Sequence, residues 1–205
     1  MREAENIMDV AMLKPDLMGF IFHRPSPRDA SKTLLSGLSD TFPAGIRRVG
    51  VFVDSDIDTV RRMVLKYSLD LVQLHGKESP ETCLEIKNSG VGIIKAFNIR
   101  KSDDFSRCMP YVPFTDYFLF DAFTLKHGGS GTKFDWEILE EYRLDHPFFL
   151  SGGIGPDDSE KIFRINNPAF YGVDLNSRFE IRPGVKNTGA LKNLILEIRN
   201  KNILL

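Results

Sequence analysis

Three aspartates follow short apolar runs: Asp54 after Val49-Gly50-Val51-Phe52-Val53, Asp121 after Phe118-Leu119-Phe120, and Asp174 after Tyr171-Gly172-Val173. A carboxyl partly withdrawn from water can keep its proton near neutral pH and act as a general acid. The same residue type also caps helices and closes turns, so each of the three has a purely structural alternative. Asp121 gains an advantage from strand parity with Tyr117 and Leu119 and from the glycine-rich stretch Gly128-Gly129-Ser130-Gly131-Thr132-Lys133 that follows it. That stretch lacks the third glycine of a dinucleotide fingerprint, and its lysine is misplaced for a P-loop. It reads as a loop that folds over a substrate, or as a plain connector.

Two further segments suit an anion. Ser151-Gly152-Gly153-Ile154-Gly155-Pro156 follows an apolar run, and glycines there let backbone N–H groups approach a phosphate. Asn176-Ser177-Arg178 supplies a hydroxyl, N–H groups and a guanidinium after the next run. Gly152, Gly153, Asn176, Ser177 and Arg178 are therefore the expected phosphate-binding residues, with a tight turn at positive φ as the plainer reading. Arg28 can grip a substrate carboxylate bidentately or be an ordinary surface arginine. His75, after Val72-Gln73-Leu74, can donate to a substrate or serve structure alone. Cys83 and Cys108 fall in helical stretches and are expected to pack, as is Trp136, the only tryptophan.

The elements that position these groups alternate along the chain. Continuous apolar runs at 17–22, 48–53, 69–74, 93–97, 117–120, 148–150 and 171–175 predict seven buried strands. Helical spacing predicts helices over 3–13, 29–38, 57–68, 80–89, 102–109, 135–143, 156–165 and 188–201. This order implies an α/β fold with a parallel sheet covered by helices. Polar or glycine-rich strand ends recur along the whole chain rather than at one switch point. That favours a (β/α)8 barrel, read as one domain over 1–205, whose rim is lined by all the strand–helix loops.

The totals exclude several classes. A net charge of −1 argues against a nucleic-acid binder. Two cysteines without metal-like spacing and four histidines argue against a zinc site, and suit a reducing, cytoplasmic setting. No run reaches the roughly 18 apolar residues that span a bilayer. Acidic residues among the first dozen argue against a signal or transit peptide.

Read in order, MGFIFHRPSPR at 18–28, VGVFVD at 49–54, LDLVQLHG at 69–76, IKAF at 94–97, FLFD at 118–121, HGGSGTKFDW at 127–136, FFLSGGI at 148–154, GVDLNSRFE at 172–180 and PGVK at 183–186 resemble the phosphoribosylanthranilate isomerase family of tryptophan biosynthesis. The resemblance implies a (β/α)8 TIM barrel and an Amadori rearrangement of N-(5-phosphoribosyl)anthranilate without cofactor or metal. It implies that Asp121 is the general acid that opens the sugar ring. It also implies that Arg28 engages the anthranilate carboxylate and that Gly152, Gly153 and the Asn176–Arg178 segment hold the phosphate. A monomer or homodimer acting on a small sugar phosphate is expected. Arg178 departs from the glycine usual in the family's S-S-G-V-E segment.

In the family a cysteine base lies on a first strand of the form K-[IV]-C-G-M, and Met1 matches its methionine. The first β-strand and the base are thus expected upstream of Met1, and negligible turnover is expected of the chain that starts there. Neither Cys83 nor Cys108 takes over that role. Indole-glycerol-phosphate synthase and the tryptophan synthase α subunit are similar only at the phosphate loops. A non-catalytic barrel that binds a phosphate ligand is the remaining alternative.

Overall fold

The computed structural model describes residues 1–31, 42–122 and 136–200. Within them β1 (Leu17–Ile21), β2 (Arg47–Phe52), β3 (Leu71–Leu74), β4 (Gly92–Ile99), β5 (Tyr117–Ala122), β6 (Phe148–Ser151) and β7 (Phe170–Val173) form one sheet. Their order in space is their order in sequence, and every neighbouring pair is parallel. A doubly wound sheet reverses direction at a switch point. This one never does.

The sheet curls. Val49, Leu71, Ile94, Ala96, Leu119 and Phe149 form an inner cluster, with Leu17 and Tyr117 packed against it. These residues come from β1 through β6. Neighbouring strands lie about 4.8 Å apart, so a flat sheet would separate β1 from β6 by roughly 24 Å. Alternate residues, among them Phe52, Val72, Leu74, Ile93, Phe118, Phe120, Phe148 and Leu150, face outward into a larger core beneath the helices. Strands buried on both faces explain the continuous apolar runs in the sequence.

Helices α1 (Ala4–Ala11), α2 (Ile57–Tyr67), α3 (Pro80–Lys87), α4 (Ser159–Phe163) and α5 (Thr188–Arg199) cover the outer face. Helix starts follow local chemistry. The Asp56 carboxylate accepts from the Thr59 N–H to open α2, and the Ser79 hydroxyl does the same for Thr82 ahead of α3. Pro80 sits in the first turn of α3, where its missing N–H costs nothing. Among the described residues no helix is long and apolar enough to cross a membrane.

Three expected α-helices take other forms. Ser102–Phe114 is a 3₁₀ helix carrying Pro110 and Pro113, which cannot donate to an i→i−4 ladder. Trp136–Glu141 is also 3₁₀, and the Asn167 amide takes the carbonyls of Leu139 and Tyr142. The helix expected over 156–165 shrinks to the five residues of α4. Here the Asp158 carboxylate bonds back to the Gly155 N–H and holds a turn before the helix. A small hairpin, β8 (Glu180–Arg182) and β9 (Val185–Lys186), was not anticipated; Gly184 turns it at φ +84°. The expected glycine loop at 128–133 and most of the helix expected over 29–38 lie outside the described residues.

Cys83 on α3 and Cys108 in the 3₁₀ stretch are fully buried in the outer core. Burial pushes their thiols up, to about 11 for Cys83 and about 12 for Cys108, so both stay protonated at neutral pH. Trp136 packs against the same core. Native protein should therefore leave both thiols unreacted toward a disulfide reagent until it opens, while guanidinium exposes two at once. A thiol that reacts within seconds in native buffer would contradict this packing.

Candidate active site

The inward parity of the strands sets the floor and walls of one cavity of about 460 Å³, lined among others by Arg28, Gln73, His75, Asp121, Gly152, Gly153, Asp174, Asn176 and Lys186. That volume suits a small organic ligand. The three strand-end aspartates part company here. Asp54 adopts a left-handed backbone at φ +48°, and its Oδ1 accepts from the Lys77 N–H at 2.6 Å. It is a turn residue. Asp174 faces the cavity and accepts from the Ser151 hydroxyl at 3.0 Å.

Asp121 stands in register with Ser151, one strand away from the start of the Gly152-Gly153 loop. Its Oδ2 lies 3.5 Å from His75 Nε2, with the two side chains 31% and 29% exposed. Both groups are open enough to meet a ligand and close enough to act together. His75 sits one residue past β3 on the inward parity of Leu71 and Gln73, and its backbone N–H donates to the Phe52 carbonyl.

Gly152 and Gly153 take φ values of +89° and +72°, conformations that side-chained residues rarely adopt. The Arg178 guanidinium lies against Gly155, where an added Cβ would sit 3.1 Å from Nη2. The two glycine-and-arginine segments expected to share a phosphate are therefore side by side. Ser177 and Arg178 are exposed, as suits residues that meet a dianion from solvent.

Arg28 is held more firmly than the sequence suggests. Its Nε and Nη2 donate to the Glu180 carboxylate at 2.6–3.0 Å, across 152 residues of sequence. One edge of the guanidinium is thus taken, and Arg28 also lines the cavity. This pair links the loop after β1 to the hairpin after β7, joining the two ends of the curled sheet at its rim. Lys186 completes the group. Its Nζ donates to the carbonyls of Leu175 and Asn176 and to Asn176 Oδ1, and lies 3.6 Å from Glu180. With Oδ1 held by Lys186, the amide N–H₂ of Asn176 is the side-chain group that can donate to a ligand.

Glu180 and Lys186 went unread in the sequence. The signal available was a lysine and a glutamate flanking the Arg182-Pro183-Gly184 turn, six residues apart. For Glu180, burial alone would raise the carboxyl. The hydrogen bonds from Arg28, the charge of Lys186 and the Gly184 N–H outweigh it and hold the group below its ordinary 4.5. A depressed carboxyl contributes stability that is present above its ordinary value and is lost as pH falls through its folded value. Glu180→Gln is expected to cost about 1–3 kcal/mol at pH 7. The gap between wild type and variant should narrow as pH falls below 4.5 and through the lower folded value. Thermal melts across that range decide it, and a constant gap would reject the role.

Among the described residues no group of three His, Cys, Asp or Glu could hold a metal ion.

The sequence model for N-(5'phosphoribosyl)anthranilate (PRA) isomerase matches residues 1–197. An N-(5'-phosphoribosyl)anthranilate isomerase of Parabacteroides distasonis is 43% identical over 199 residues, 97% of this chain and 90% of that protein. One from Phocaeicola vulgatus is 37% identical, covering 98% and 96%. Among solved structures, phosphoribosyl anthranilate isomerase from Thermotoga maritima superposes with a TM-score of 0.84 at 29% identity, covering 98% of this chain and 96% of that one. Another, solved with reduced 1-(o-carboxyphenylamino)-1-deoxyribulose 5-phosphate, gives 0.80 at 26% identity, covering 98% and 95%. With its sequential parallel strands and a rim that gathers Asp121, Arg28 and the glycine loop, the chain belongs to the N-(5'-phosphoribosyl)anthranilate isomerase family.

Proposed function

We infer that the chain works as N-(5'-phosphoribosyl)anthranilate isomerase, converting an aminoaldose phosphate to its aminoketose. The observation that carries the reading is one cavity with three chemically distinct walls. Asp121 beside His75 forms the acid wall, Gly152-Gly153 with Arg178 the phosphate wall, and Arg28 the carboxylate wall.

In this reading the substrate phosphate lies on the N–H groups of the glycine loop, with the Arg178 guanidinium and the Asn176 amide alongside. The exposed edge of Arg28, oriented by Glu180, meets the anthranilate carboxylate. Fixing both ends places the ribose ring oxygen over Asp121, whose proton opens the ring and leaves a Schiff base. Transfer of the C2 proton to a base, the role the family gives to a cysteine on its first strand, then yields the enolamine, which tautomerises to the ketone. Neither buried thiol, held protonated behind the sheet, can be the base for that step. The setting proposed is cytoplasmic, with the chain acting as a monomer or homodimer.

Calorimetry with the reduced product analogue, paired with a coupled turnover assay on the same sample, tests the reading. The assay is run on the chain and on the chain extended by Lys-Val-Cys-Gly before Met1. Saturable binding with turnover in either form is expected. Tight binding with no turnover in both would replace the isomerase with a phosphate-ligand-binding barrel.

A further inference from the structure

We propose that Gln73 is a positioning residue that fixes the tautomer of His75, so that the imidazole presents an Nε2–H toward Asp121. Gln73 is 7% exposed and lies on the inner face of β3, in register with Val51 on one side and Ile94 on the other. A buried amide in such an apolar layer costs stability unless it is hydrogen-bonded. Its Nε2 lies 2.9 Å from His75 Nδ1. In this orientation of the amide its N–H₂ donates, Nδ1 accepts, and the ring proton sits on Nε2.

The other side of the ring makes use of the same tautomer. His75 Nε2 faces Asp121 Oδ2 at 3.5 Å, and once Asp121 has given up its proton the carboxylate can only accept. Gln73 on one ring nitrogen thus places the proton on the nitrogen that faces Asp121. The distance to Asp121 is longer than a good hydrogen bond and is of the kind that tightens when a ligand closes the site.

The ring's backbone is anchored by other groups, which separates the work of Gln73 from simple packing. Lys95 Nζ donates to the carbonyls of Leu74 and Gly76 at 3.1 and 2.9 Å, and the Glu78 carboxylate accepts the Gly76 N–H. These contacts hold the residues on each side of His75 whatever occupies position 73. Gln73 acts on the ring alone.

This inference rests on the isomerase reading for its consequence, though not for its geometry. When Asp121 gives its proton to the ring oxygen, the carboxylate left behind faces a ready Nε2–H. His75 keeps its own proton throughout. The donor stabilises charge that exists only after proton transfer, which is where stabilisation accelerates a step.

Two-bond ¹H–¹⁵N spectra of the histidine rings test it directly, with the His75 signals assigned by their loss in His75→Gln. In the ligand-free protein Nδ1 should resonate as an unprotonated nitrogen and Nε2 as a protonated one. Gln73→Glu, which can accept from the ring, should move the proton to Nδ1, and Gln73→Met should give a mixture of tautomers. In a form that turns over, Gln73→Glu should lower kcat by roughly 10- to 100-fold, the scale seen when the partner fixing a histidine tautomer is lost. KM and affinity for the reduced product analogue should change little. A protonated Nδ1 in the wild type, or an unchanged tautomer in both variants, overturns the proposal. The expected tautomers in a protein without turnover would instead count against the isomerase reading and leave the role of Gln73 standing.

Discussion

Asp121→Asn should lower isomerase turnover by roughly 10²–10⁴-fold while leaving affinity for the reduced product analogue within a few-fold of wild type. Asparagine matches aspartic acid in shape and keeps an acceptor oxygen toward His75 Nε2, so the wall of the cavity survives. It has no acidic proton to give. Ring opening then depends on water, and the loss appears in kcat rather than in KM. With the side chain 31% exposed and no short hydrogen bond to break among the described residues, the melting temperature should barely move. The comparison is made in whichever form turns over. Turnover within threefold of wild type would remove Asp121 from the chemistry and point to Asp174, the other cavity-facing carboxylate.

The largest effect on stability should come from Lys95→Met. Lys95 and Glu78 form an ion pair at 3.2 Å with each side chain 3% exposed. The ammonium also donates to the carbonyls of Leu74, Gly76 and Ala96. The carboxylate in turn accepts from the N–H groups of Asp54 and Gly76. Three strand ends are thereby tied at one point. Removing one partner of a buried pair strands the other charge, which costs about 3–5 kcal/mol. For a chain of this size the melting temperature should fall by roughly 6–20 °C.

A double variant, Lys95→Met with Glu78→Leu, should be less destabilised than the sum of the two single changes, because no lone charge remains buried. Gly76 sharpens the argument. A Cβ added there would lie 2.3 Å from Asp54 Oδ1, so the loop has no slack to take up a displaced carboxylate. Additive single and double effects would show that the pair does not act as a unit.

Much of this site is visible along the sequence because strand parity is local. Tyr117, Leu119 and Asp121 share a face whatever the rest of the chain does, and Leu71, Gln73 and His75 do likewise. Glycines at 152 and 153 announce a backbone that side chains resist. The helix types were less legible. Pro110 and Pro113 were visible, but the outcome at Trp136–Glu141 involves Asn167, which arrives from the following unit. Gln73 reads as one polar residue in an apolar strand until His75 is seen beside it.

By itself the sequence determined the succession of seven strands, which residues of each face inward, and which chemical groups stand at the strand ends. Those are properties of a one-dimensional pattern with period two or 3.6, and no distant contact is needed to set them. Only the tertiary structure decided which polar groups meet. Arg28 finds Glu180 because the sheet curls until its first and last strands share a rim. Curling is a collective outcome of twist and of packing on both faces. It makes neighbours of residues whose spacing in the chain gives no hint of their contact.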